Sequence, residues 1–211
     1  MPVKMEYTIK NFWDWFEVNQ TAYQFINDVE DVERDRLMDT ICNELQKLNE
    51  NLWVEIGGNP DDGMELIVTA EGNTDYFAMV ENVIAQAPEI KNWMFTAFIP
   101  PDTEGPWIVE YAGIKLNSEE MWFLPLEEEE NPKSIGLRVC TPNYELIKDN
   151  EYFMSAVYNM LESLLGEKTF ALDVDYVEAG QVPEDPEEEG MMELQEVLEY
   201  VNWEKTNRHM E

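Results

Sequence analysis

Histidine is nearly missing from this sequence of 211 residues: the single one, His209, sits in a segment, 204–211, that reads as a fraying tail. General acid–base work near neutral pH would therefore fall to carboxylates of raised pKa. A Ser–His or Cys–His nucleophile pair is excluded unless that tail docks over a site. Cysteine is scarce too. Cys42 and Cys140 are the only two, far outside any Cys-x-x-Cys spacing and each in an apolar context. They read as reduced core thiols of a cytoplasmic protein. No apolar run approaches the roughly 18 residues of a membrane span, and no basic, apolar leader opens the chain. The expectation is a protein neither exported by an ordinary signal nor embedded in a membrane. No phosphate-cradling loop is present either, because Gly57-Gly58 leads into another strand rather than into a helix N-terminus.

Positive charge is the sharpest shortage. Thirteen Lys and Arg stand against 46 Asp and Glu, a formal net charge of -33. Such a field opposes nucleic acid and anionic membranes, and it attracts cationic partners at a rate that salt reduces. DNA or RNA binding would need a basic face, and the cations are too few and too scattered to make one. From Thr169 to Glu204 there is no basic residue at all. Two acidic runs stand out: Glu127, Glu128, Glu129 and Glu130, then Glu184 with Glu187, Glu188 and Glu189. Solubility alone asks for a net charge of only about 2–8 in a small domain. The excess points to a basic protein partner, with Trp53, Trp107 and Trp203 as candidate apolar anchors beside the acids.

Hydrophobic residues make up 44% of the chain and aromatics 12%, enough to exclude disorder as a whole-chain reading. The first 50 residues read as helices. One runs from Asn11 with Phe12, Phe16, Tyr23 and Ile26 near one face; Trp13 falls off that stripe as a partly buried aromatic. A second, Val32–Leu48, aligns Leu37, Ile41, Leu45 and Leu48. Residues 51–106 follow the order strand, turn, strand, helix, strand. Leu52–Ile56 and Glu65–Ala70 flank a Gly-, Asn-, Pro- and Asp-rich loop at 57–63. Asn73 or Thr74 caps a helix through Ala87, and Pro100-Pro101 stops a strand over Trp93–Ile99.

Residues 107–180 read as a second pass through the same order. Trp107–Leu116 and Met121–Leu126 form a hairpin around Asn117–Glu120, followed by a strand at Ile135–Thr141 and a helix at Tyr152–Leu165 closed by Gly166. A strand at Thr169–Val177 carries Phe170, Leu172, Val174 and Tyr176 on one face. Trp53 to Leu66 and Trp122 to Ile135 are each thirteen residues apart, which suggests an internal duplication. Residues 181–190 are an acidic linker, extended and solvated across Ala179–Gly190, and 191–211 a C-terminal helix and tail folding back on the core. The expected fold is α+β, a mixed or antiparallel sheet built from two ββαβ units, with helices at both chain ends, in one compact body.

Metal ligation has two weak candidates. Asp173 and Asp175 would share a face of the expected strand, and Asn59 with Asp61-Asp62-Gly63 mimics part of a calcium loop that lacks its bidentate Glu. The expectation is no metal and no cofactor, with both clusters solvated. A carboxylate- or metal-dependent enzyme using acids between the two units remains the alternative to a binding module, and a purely solubilising charge the third reading. No feature fixes an oligomeric state.

The run Glu55-Ile56-Gly57-Gly58-Asn59-Pro60, then Glu65–Gly72, then Ala97-Phe98-Ile99-Pro100-Pro101, resembles uncharacterised bacterial proteins of small acidic type. The likeness covers about a quarter of the chain and implies no activity. In composition the chain is similar to acidic bacterial inhibitors of nucleases and to toxin-neutralising immunity proteins, which implies an inhibitory binding role without transferring any functional position.

Overall fold

The computed structural model describes residues 7–126 and 134–208. The fold is α+β with mixed sheets and helices at both ends, seven α-helices lying among the described residues. The chain divides into two units, Met1–Ile99 and Pro100–Glu211, the boundary falling at the Pro100-Pro101 pair.

In the first unit, Thr8 starts helix α1 (Ile9–Gln24) with a capping box. Its hydroxyl accepts from the Asn11 backbone N–H, and the Asn11 side chain accepts from the Thr8 N–H at 2.9 Å. A short 3₁₀ turn leads into α2 (Asp31–Leu45), whose Leu37, Ile41 and Leu45 are buried as their spacing predicts. Strands β1 (Trp53–Asn59) and β2 (Gly63–Thr69) pair antiparallel from Trp53 opposite Thr69 to Asn59 opposite Gly63. The ladder thus runs into what the sequence assigns to a loop at 57–63, leaving only Pro60-Asp61-Asp62 to reverse the chain. The Asn59 side-chain oxygen accepts from the N–H groups of Asp61 and Asp62, at 3.0 and 2.9 Å, which makes the short reversal self-supporting. Asn73 caps the turn that opens α3 (Phe77–Ala85), and β3 (Trp93–Ala97) returns parallel to β2. Strand order is β1-β2-β3.

Aromatic rings bind α1 to β3. Trp13 and Phe95 meet edge-on at 4.7 Å, Phe16 and Trp93 at 5.0 Å, and Trp93 Nε1 donates to Gln20 Oε1 at 2.9 Å. Trp13 is buried rather than partly so, because its indole N–H finds the Val83 carbonyl at the end of α3, 2.9 Å away. The opposite sheet face is only partly covered: Thr69 and Ile67 are buried there, while their neighbour Trp53 is 40% exposed.

The second unit departs further from the sequence reading. Trp107–Leu116 is itself a hairpin, β4 (Ile108–Tyr111) and β5 (Ile114–Asn117), and it does not pair with Met121–Leu126. The reason lies in Ala112-Gly113, whose φ angles of +49° and +83° supply the two left-handed positions of a tight hairpin turn. Asn117–Glu120 is a 3₁₀ turn instead, with buried Ser118 exchanging hydrogen bonds with the Trp107 backbone. Strands β6 (Trp122–Leu126) and β7 (Gly136–Thr141) pair antiparallel. Helices α4 (Tyr144–Ile147), α5 (Phe153–Leu165) and α6 (Glu167–Asp173) follow, and β8 (Tyr176–Gln181) runs parallel to β7.

The strand expected at Thr169–Val177 is therefore corrected to helix α6 with a later strand. Gly166, at φ +73°, ends α5 and turns the chain straight into α6, whose first bond runs from Phe170 N–H to the Gly166 carbonyl at 3.0 Å. The apparent period of two was fortuitous, since Leu172 is 54% exposed. Nor is Ala179–Gly190 an extended linker. Ala179–Gln181 belong to β8, and 185–191 form turns closed by Gly190 N–H to the Glu187 carbonyl and Met191 N–H to the Pro186 carbonyl. Met192–Glu193 is β9, antiparallel to β6, so the C-terminal helix α7 starts only at Val197 and runs to Arg208. The sheet order is β8-β7-β6-β9. Leu161 and Leu165 of α5 share one core with Phe123, Leu137, Leu194 and Val201, so α7 folds back onto its own unit.

Candidate functional site

Of the acids expected to bind a partner, one run is described. Glu127, Glu128, Glu129 and Glu130 lie outside the described residues, as does His209. Glu184, Glu187, Glu188 and Glu189 are all exposed on the turn between β8 and β9. Trp53 belongs to the first unit, on β1; Trp107 and Trp203 belong to the second. Trp203, on α7, is 61% exposed, a large apolar surface for a side chain next to so many carboxylates.

The weak metal candidates do not share a face. Asp173 ends α6 and pairs with Lys205 Nζ at 2.6 Å, tying α6 to α7. Asp175 accepts from the Ile135 N–H at 2.7 Å and so anchors the entry to β7. Both carboxylates thus have structural partners, and the shared strand face required for joint ligation is absent because Asp173 is helical. Among the described residues no group of three or more His, Cys, Asp or Glu side chains is placed to hold a metal ion. Cys42 and Cys140 are free thiols, and burial pushes both up from the ordinary thiol range, which disfavours the reactive thiolate. Among the described residues no helix is long and apolar enough to cross a membrane.

Several cations are paired locally. Lys10 pairs with Asp14, Arg36 with Glu33 and Lys148 with Glu145, each within one helical turn. Even if all 13 bases were paired one to one, 46 − 13 = 33 acids would keep no counter-charge within the chain.

One half-open cleft in the second unit, of about 270 Å³, brings an aromatic ring and carboxylates together. Trp107, Asp102, Leu164, Gln195, Leu198 and Glu199 line it. The loop that carries Asp102 is fixed at both ends. The Asp102 N–H donates to the Ser163 carbonyl of α5 at 2.9 Å, and Trp107 Nε1 donates back to the Asp102 carbonyl at 3.1 Å. The Trp107 N–H bonds to Ser118 Oγ at 3.0 Å, and the ring packs on the apolar core. Of the predicted anchors, Trp107 is thus half-buried and held. Asp102 and Glu199 escaped the sequence reading, although Glu199 and Trp203, four residues apart on α7, share a helix face. In the first unit a shallower hollow of about 320 Å³ lies at the β1–β2 hairpin, bordered by Asp62, Glu65, Trp93 and Met94. No family model, curated protein or solved structure matches the chain.

Proposed function

We propose that the protein is an acidic interaction module that binds a basic protein partner in an inhibitor- or immunity-type role. The observation that carries this reading is the stretch Thr169–Glu204, which has no cation. Its Glu184, Glu187, Glu188, Glu189, Glu196 and Glu199 are all exposed, and it contains the exposed indole of Trp203. Carboxylates steer a basic partner and set register, while a desolvated tryptophan supplies the apolar energy that charge alone lacks. The same field repels nucleic acid.

Affinity capture from the source cytosol, at low and at moderate salt, tests the proposal. A second bait of matched net charge and unrelated sequence serves as the control. The expected result is a basic protein retained by this chain alone, released progressively by salt, and bound more weakly by a variant with Glu184, Glu187, Glu188 and Glu189 changed to Gln. Recovery of the same proteins on both baits leaves the charge with a solubilising role only.

The reading extends to architecture. Residues 51–106 and 107–180 would each contain a ββαβ unit, the second following an extra hairpin. Supporting this are the antiparallel β1–β2 pair with parallel β3 beyond α3, and the antiparallel β6–β7 pair with parallel β8 beyond α5.

A further inference from the structure

The proposed partner is basic, and on that reading the second unit contains a place for one of its charges. We propose that the cleft between the 102–107 loop and α7 is a socket for a single lysine or arginine side chain of the partner. Size comes first. At about 270 Å³ the cleft lies at or below the lower end of the roughly 300–1,000 Å³ common to small-molecule sites, and it suits one long side chain.

The lining then selects the chemistry. Leu164, Leu198 and the Trp107 ring offer apolar surface to an alkyl stem, and Asp102 and Glu199 offer two carboxylates to its charged head. The electron-rich face of an indole adds attraction for either an ammonium or a guanidinium. No basic residue lines the cleft, and among the described residues neither Asp102 nor Glu199 forms an ion pair within the chain. An incoming cation therefore displaces no internal counter-ion. An anionic ligand would be repelled by these carboxylates, and a neutral one would gain hydrogen bonds without the ionic attraction that a cation gains. For a divalent metal the cleft offers two carboxylates, and among the described residues no group of three or more His, Cys, Asp or Glu side chains is placed to hold one.

The socket is also preformed. Hydrogen bonds from Asp102 N–H to Ser163, from Trp107 Nε1 to Asp102 and from Trp107 N–H to Ser118 hold the loop and the ring without a ligand. Little ordering cost remains for binding to meet. Trp203, one turn beyond Glu199 on the same face of α7, extends the contact for the partner surface around the inserted side chain.

The test is a ¹⁵N NMR titration of the full chain at low salt with a lysine decapeptide and, separately, an arginine decapeptide. The Trp107 indole resonance is assigned by its loss in Trp107→Phe. Expected is a saturable shift of that resonance together with the Leu198 and Glu199 amides. Glu199→Gln, an exposed change that leaves the helix intact, should weaken the fitted affinity about two- to fivefold, whereas Glu89→Gln, an exposed change in the first unit, should change it less than twofold. Stronger binding of one decapeptide identifies which of the two cations the socket prefers. If the peptides shift amides of the 184–189 turn and leave Trp107 unmoved, the socket is refuted while the basic-partner reading stands. If neither peptide shifts any resonance, both fall together.

Discussion

The adjacent glycines Gly57 and Gly58 give opposite responses to the same substitution. Both lie in β1, yet only Gly58 has a positive φ, +83°. A Cβ placed on Gly58 would come within 2.2 Å of the Gly63 carbonyl oxygen across the hairpin, whereas one on Gly57 would meet nothing within 4 Å. For Gly58→Ala, left-handed backbone costs an alanine roughly 1–2 kcal/mol. Moving a paired backbone oxygen out of the way adds about 1–3 kcal/mol. The reduced freedom of the unfolded chain returns about 0.4–1 kcal/mol. The net expectation is a loss of about 1–4.6 kcal/mol. Gly57→Ala has only the last contribution and should be neutral or stabilising by up to about 1 kcal/mol. Urea unfolding followed by tryptophan fluorescence, with native-state hydrogen exchange on the β1–β2 amides to localise the change, measures both. With a slope of about 1–3 kcal/mol per molar urea, the two midpoints should separate by at least about 0.3 M. A Gly58→Ala protein within about 0.5 kcal/mol of the parent, or a Gly57→Ala protein equally damaged, refutes the close approach on which the argument rests.

A related test concerns Gly136, where a Cβ would sit 2.0 Å from Tyr176 Cζ because the phenol lies across the glycine of the neighbouring strand. Gly136→Ala should cost about 1–3 kcal/mol in the parent and become neutral or better in a Tyr176→Ala background, a coupling that thermal unfolding of the four proteins reads directly. Tyr23 is buried on α1, and burial pushes its phenol up to about 12. Its folded pKa lies above the unfolded value of about 10, so its contribution is complete below pH 10 and fades as pH rises towards 12; the difference in stability between the parent and Tyr23→Phe should shrink by about 2–3 kcal/mol over that window. A constant difference would contradict the assignment. Leu161→Ala empties a fully buried position of α5 and should cost about 2–5 kcal/mol by chemical denaturation; a loss under about 1 kcal/mol would mean the site is less tightly packed than described.

Where the sequence was legible, the signal was local and repeated. Leu37, Ile41 and Leu45 recur every four residues and are all buried on one helix. Pro100-Pro101 marks the end of the first unit, and Asn73 caps where its side chain allows. What escaped was short or non-local. Phe170, Leu172, Val174 and Tyr176 fit a strand period, but so few residues cannot separate strand from helix, and the deciding feature was the positive φ of Gly166. Met192–Glu193 pairs with β6 over only two residues, too few for any periodicity to show. The turn at Ala112-Gly113 depends on a left-handed alanine, at φ +49°, which is not a residue type that announces such a position. The cleft was invisible for a different reason: Asp102 and Glu199 are brought together by tertiary packing of α7, and no spacing in the chain announces it.

The bonds that join α1 to the end of the first unit also set an order of events during synthesis. Trp13 waits for Val83, 70 residues later, and Gln20 waits for Trp93, 73 residues later. At a ribosomal pace of about 5–20 residues per second, that interval is roughly 4–15 s. Throughout it, Trp13 and Phe16 have left the ribosome without the strand whose rings they pack against. Until β3 emerges, those rings are apolar surface open to off-pathway contacts.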